Sequence, residues 1–96
     1  MIVFGLDIGT TSISGVALEL PGGKLLRSVT RPSGAWLHSD GVRAEQDPDR
    51  IMRTVRDIVQ EFTAMYPNAA GIGLTGQMHG VLYVDRSGRA VSPLYT

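Results

Sequence analysis

Cysteine is absent from the 96-residue sequence. A disulfide frame and a thiolate metal site are therefore both excluded, and the composition suits a reducing compartment. Charge of one sign is missing as well: nine basic residues face nine acidic ones, for a formal net charge of zero. That balance gives no electrostatic footprint for nucleic acid or for an anionic membrane. No apolar run reaches the length of a bilayer-spanning helix. The opening, Met1-Ile2-Val3-Phe4-Gly5-Leu6-Asp7, lacks a basic stretch and meets an acid at once, unlike a secretory signal. Internal repeats and low-complexity stretches are not found either.

What is present is an ordinary globular mixture, 43% hydrophobic and 19% charged. A chain of this length buries one modest core with little stability to spare. Its end, Pro93-Leu94-Tyr95-Thr96, is apolar and has no polar tail, and is expected of a truncation rather than a natural terminus.

Ile2 to Ile8 is a short apolar run with β-branched residues that stops at Gly9, the pattern of a buried strand. Ser12 to Leu20, with Ile13, Val16 and Leu18, predicts a second strand. Pro21-Gly22-Gly23 is a turn signal, and Lys24 to Arg31 predicts a third strand, so the N-terminus reads as an antiparallel β-meander. Pro32 to Arg43 is rich in Gly, Ser and Pro and reads as a loop that holds Trp36 and His38. Trp36 suits a packing anchor better than a sugar-stacking platform, with stacking left open. A helix follows. Asp47 suits the N-cap, Pro48 the first helical position, and Asp49 the positive end of the helix dipole. Ile51, Val55, Ile58, Val59, Phe62 and Met65 recur at helical spacing, opposite a face of Arg50, Arg53, Arg56, Asp57, Gln60 and Glu61. Pro67-Asn68 ends it. Ala70 to Thr75 predicts a strand parallel to the first, broken at Gly76. Val81 to Val84, the turn Asp85-Arg86-Ser87-Gly88 and Arg89 to Ser92 predict a last hairpin. The class is α/β, a β-meander followed by a helix and further strands. This order matches the first half of the ribonuclease-H-like fold found in actin, Hsp70 ATPase domains and sugar kinases.

Three segments carry chemistry. In Asp7-Ile8-Gly9-Thr10-Thr11-Ser12, Gly9 lets the backbone approach a ligand closely, and three hydroxyls with their N–H groups suit phosphate oxygens. Asp7 suits Mg²⁺, directly or through water. A hairpin turn of small polar residues has the same composition. In Gly76-Gln77-Met78-His79-Gly80, Gln77 and neutral His79 each donate and accept, as the hydroxyls of a polyol do, and Met78 offers an adaptable apolar surface. A loop with one structural histidine reads the same way. In Glu45-Gln46-Asp47-Pro48, capping explains Asp47, while Glu45 and Gln46 are open to lining a cleft.

Together, these segments and the tail Val91-Ser92-Pro93-Leu94-Tyr95-Thr96 resemble the start of FGGY-family carbohydrate kinases, in order and in spacing. The Gly-Gln-Met-His-Gly run is the most specific part, and is similar to xylulokinases and sedoheptulokinases rather than to glycerol kinases. The resemblance covers essentially all of residues 1–96 but only the opening fraction of a family member. It implies the incomplete N-terminal portion of the first kinase domain. The implied reaction is transfer of the γ-phosphoryl group of ATP to a ketose hydroxyl, with ATP and Mg²⁺ as cofactors, in a cytoplasmic enzyme. Carried over by position, Asp7 lies near the Mg²⁺–ATP phosphates; Gly9, Thr10, Thr11 and Ser12 form the phosphate loop; Gln77, Met78 and His79 touch the sugar. The family's catalytic Asp and adenosine site are expected downstream, so these residues alone are expected to be inactive. The resemblance leaves room for a homodimer of the full-length enzyme. The alternatives are a non-catalytic sugar sensor and an actin/Hsp70-like nucleotide-binding domain; the first loop is shared among them, whereas the ATPases have no sugar to hold at the Gly-Gln-Met-His-Gly run.

Overall fold

Apolar alternation organises the N-terminal half of the chain. In the computed structural model, which describes residues 1–39 and 44–96, strands β1 (Ile2–Ile8), β2 (Ser12–Glu19) and β3 (Lys24–Pro32) form the expected antiparallel meander. The β2–β3 turn closes at Gly23, whose φ of 73° suits glycine and whose N–H donates to the Glu19 carbonyl at 2.8 Å. Side chains alternate across each strand, so Phe4 and Leu6 of β1 share a face with Ile13 and Ala17 of β2. All four are buried, and helix α1 (Pro48–Met65) covers them with Ile51, Ile58 and Phe62.

The helix begins where its cap dictates. Asp47 has extended backbone angles, its carboxylate accepts from the Asp49 N–H at 2.9 Å, and Pro48 opens the first turn. Phe62 is fully buried and meets Phe4 edge-to-face at 5.3 Å between ring centroids, a pairing that adds about 0.5–1.5 kcal/mol to the burial itself. Met65, expected on the apolar face, is half exposed, while Tyr66, one position on, packs against the core beside Phe4. Glu61 on the flank accepts from Arg27 at 3.1 Å and Arg31 at 2.8 Å, pinning α1 to β3.

After α1, β6 (Gly71–Gly76) pairs with β1 in parallel, from Val3↔Gly71 to Ile8↔Gly76, and completes the sheet order β3-β2-β1-β6. The expected parallel strand is therefore present. It is exposed throughout, Ile72 and Leu74 included.

A second sheet departs from the sequence reading. The region expected to be loop contains β4 (Trp36–Ser39), paired with β5 (Ala44–Gln46), and β5 in turn pairs with β7 (Leu94–Tyr95). Positions 40–43 of the expected loop lie outside the described residues. Trp36 keeps 39% of its surface exposed, and its neighbour Ala35 is the residue that is fully buried. The expected hairpin at 81–92 is held by isolated bridges, Val81↔Tyr95 and Val84↔Ala90, rather than by regular strands. Its turn is as expected, with the Asp85 carboxylate accepting from the N–H groups of Ser87 and Arg89.

Candidate functional site

Adjacent parallel strands finish at the same edge of a sheet, and ligands of α/β folds bind in the crevice outside those carboxyl ends. Here β1 ends at Ile8 and β6 at its partner Gly76. The turn Gly9–Ser12 leaves the first strand, and the run Gln77–Gly80 leaves the second. The Gln77 N–H donates to the Ile8 carbonyl at 3.2 Å, so the two exits are stitched together.

The first turn is tight for a local reason. The Gly9 N–H donates to the Ser12 carbonyl at 3.0 Å, and a Cβ at Gly9 would lie 2.8 Å from that same oxygen. Only glycine fits without moving backbone. The Thr11 carbonyl accepts from the Ser33 N–H at 2.9 Å. The Thr10 carbonyl accepts twice, from Ser33 Oγ at 3.2 Å and from Gln46 Nε2 at 2.6 Å. Thr11 faces solvent, while Thr10 and Ser12 are half-buried. Thus the turn's carbonyls are engaged from behind.

Asp7 stands just before this turn, exposed, on the sheet face opposite α1 and in register with Ser14 and Thr75. It borders an open depression of about 390 Å³, floored by Gly5 and Gly73 and edged by Ser14 and Thr75. No group of three or more acidic, His or Cys side chains lies together among the described residues. A lone exposed carboxylate beside a glycine turn fits Mg²⁺ carried by a phosphate, since this ion takes one or two carboxylates and keeps several waters.

The second run divides. Met78 is 87% exposed and His79 is exposed beside it. Gln77 is half-buried and turned inward: its Nε2 donates to Gln46 Oε1 at 2.9 Å, and its Oε1 accepts from Thr10 Oγ1 at 3.4 Å and Thr96 Oγ1 at 3.5 Å. The structure therefore joins Thr10 with Gln77 through side chains, and leaves Met78 and His79 projecting. Gln46, left open in the sequence as a cleft-lining residue, takes a different place, behind the two loops. It is fully buried, not lining an open cleft, and Glu45 beside it is buried too. A polar pair ahead of a cap carries no sign of burial, so the sequence held little to find it by. A larger cavity of about 810 Å³ lies between α1 and residues 82–90, with Arg53, Arg56 and Arg89 in its wall; it contains none of the expected site residues.

Residues 2–96 match the FGGY family of carbohydrate kinases, N-terminal domain. A xylulose kinase of Staphylococcus epidermidis is 29% identical over 91 residues, which is 91% of this chain and 18% of that protein. A mouse sedoheptulokinase is 34% identical over 91 residues, 85% of this chain and 19% of that protein. The crystal structure of a gluconate kinase from Lactobacillus acidophilus superposes with a TM-score of 0.86 at 26% identity, over 99% of this chain and 19% of its own. The chain thus spans less than a fifth of the length of these proteins. The expected fold holds: it is the opening part of the actin/Hsp70-like architecture of sugar kinases. No helix among the described residues is long and apolar enough to cross a membrane.

Proposed function

The chain belongs to the FGGY family of carbohydrate kinases, and from that premise we propose that it is the N-terminal portion of the first domain of a longer cytoplasmic enzyme that phosphorylates a ketose with ATP. The observation that carries this reading is the pairing of a glycine-tight turn and a polar loop at the ends of β1 and β6, bound to each other through Thr10 and Gln77. One end is shaped for phosphate, the other for hydroxyls. Xylulose and sedoheptulose are the favoured substrates because the Gly76-Gln77-Met78-His79-Gly80 run resembles those kinases.

Within this reading, Gly9 keeps the turn tight, the N–H groups of Thr10 and Thr11 and the hydroxyls of Thr11 and Ser12 hold phosphate oxygens, and the Thr10 hydroxyl stays with Gln77. Asp7 would hold Mg²⁺, directly or through water, and the ion would offset the repulsion between this carboxylate and phosphate. Bound Mg²⁺–ATP supplies the phosphoryl group, with its charge partly neutralised. His79 and Met78 project where a sugar is held, one offering a donor–acceptor ring and the other an apolar wall. Gln77 orders the loop from which they project. Phosphoryl transfer asks mainly for positioning and charge neutralisation. The carboxylate that accepts the sugar's proton and the adenosine site are assigned by resemblance to sequence beyond residue 96.

The test compares this 96-residue chain with the full-length protein that carries it. Each is incubated with ATP, Mg²⁺ and D-xylulose, D-ribulose or sedoheptulose, and ADP release is followed. The full-length protein turns over at roughly 1 per second or faster, in the ordinary enzyme range, and the chain alone shows none. A full-length protein inert toward every ketose would falsify the assignment, and turnover by residues 1–96 alone would refute their incompleteness.

A further inference from the structure

Gln46 is the fully buried polar side chain of the site, and it touches both loops at once. Its Nε2 donates to the Thr10 carbonyl at 2.6 Å, and its Oε1 accepts from Gln77 Nε2 at 2.9 Å. Thr10 Oγ1 then donates to Gln77 Oε1 at 3.4 Å. Three residues from three separate segments thus close a ring of hydrogen bonds, with the Thr10 backbone carbonyl as one link. Only one orientation of the Gln46 amide satisfies it, because the reverse would set Oε1 against the Thr10 carbonyl, acceptor against acceptor. The anchor point is rigid: Gln46 lies on β5, between partners Trp36 and Leu94, and the next residue caps α1. A buried amide with both ends satisfied specifies geometry more sharply than an apolar contact.

From this ring we infer that Gln46 is a positioning residue of the phosphotransfer site, holding the turn 9–12 and the loop 77–80 in one mutual arrangement without contacting either substrate. It acts on the phosphate end through the Thr10 carbonyl and on the sugar end through Gln77. This rests on the kinase reading above and extends it to a residue that lies behind the site. A side chain that serves only to fill the core would alter stability; one that sets the distance between the two loops alters the kinetics of both substrates together.

The experiment uses the full-length protein and its best ketose. Gln46→Met keeps the volume and removes both hydrogen bonds. It is expected to lower kcat about tenfold and to raise KM severalfold for both ketose and ATP, at a temperature where circular dichroism shows the variant folded. In a Gln77→Ala background, the further effect of Gln46→Met on the ketose KM falls to within about twofold while its effect on the ATP KM persists, the non-additivity expected of a shared link. Gln46→Glu recovers activity relative to wild type as pH is lowered, because the neutral carboxyl again donates to the Thr10 carbonyl. Additive effects in the double variant, or unchanged kinetic constants with only a lowered melting temperature, overturn the inference. A wild-type protein that phosphorylates no ketose rejects the kinase reading, and this inference with it.

Discussion

Adding a single methyl group to Gly9 tests whether the turn is shaped by backbone contact. In Gly9→Ala the new Cβ would sit 2.8 Å from the Ser12 carbonyl oxygen, which no side-chain rotation can move. Relief requires the turn to open. Overpacking of this kind costs about 1–3 kcal/mol, and weakening the Gly9–Ser12 hydrogen bond adds about 1 kcal/mol. The reduced freedom of the unfolded chain returns about 0.4–1 kcal/mol. The net loss is about 1–3 kcal/mol, or a melting temperature lower by roughly 10 °C for a domain of this size. Gly73→Ala is the matched control, since its Cβ would meet nothing within 4 Å; it is expected to stay within roughly 0.5 kcal/mol of wild type. Urea unfolding of the three chains measures the stabilities. In the full-length protein, Gly9→Ala also raises KM for ATP by about tenfold, because opening the turn displaces Thr10 and Thr11. A Gly9→Ala variant as stable as Gly73→Ala, with an unaltered ATP dependence, refutes the argument.

Asp7→Asn keeps shape and removes charge; in the full-length protein it depresses kcat and shifts the Mg²⁺ dependence upward, with sugar binding in the absence of nucleotide intact, as a Mg²⁺ titration beside a melting curve will show. His79→Ala raises the ketose KM by the equivalent of about 1–3 kcal/mol and leaves the ATP KM nearly unchanged; a large loss of thermal stability with unchanged sugar dependence assigns His79 to structure instead. Glu61→Gln releases Arg27 and Arg31 from α1. Because all three side chains are about a third exposed, the loss is at most about 1 kcal/mol, and it shrinks when unfolding is repeated in high salt.

The sheet and helix were legible because their signals are local. Apolar runs bounded by Gly9 and Pro21-Gly22-Gly23 mark the meander, and Asp47-Pro48 with Ile51, Ile58 and Phe62 marks α1. The second sheet was not legible for the opposite reason. Its strands have two to four residues, too few for alternation to show, and β5 finds β7 only at the far end of the sequence. The loops after Ile8 and Gly76 were picked out by their residue types, but the inward turn of Gln77 depends on Gln46, whose burial is decided by tertiary packing. Met65 shows the limit of helical spacing: it recurs at the apolar period yet stays half exposed, while Tyr66, one position on, packs beside Phe4.

The pairing of β1 has a consequence in time. One side of this strand is satisfied by β2, its immediate successor, while the other waits for β6, which follows the entire helix. Local contacts form fast and distant ones slowly, and a chain made from its N-terminus meets the local ones first. On a ribosome the meander emerges first, α1 then closes over Phe4 and Leu6, and the parallel strand β6 follows, ahead of β7. The Gln46–Gln77 bond can form only once β6 is in place. The hydrogen-bonded ring behind the two loops thus waits on a distant pairing, and native-state hydrogen exchange is expected to find the backbone amides of the two loops among the early ones to open.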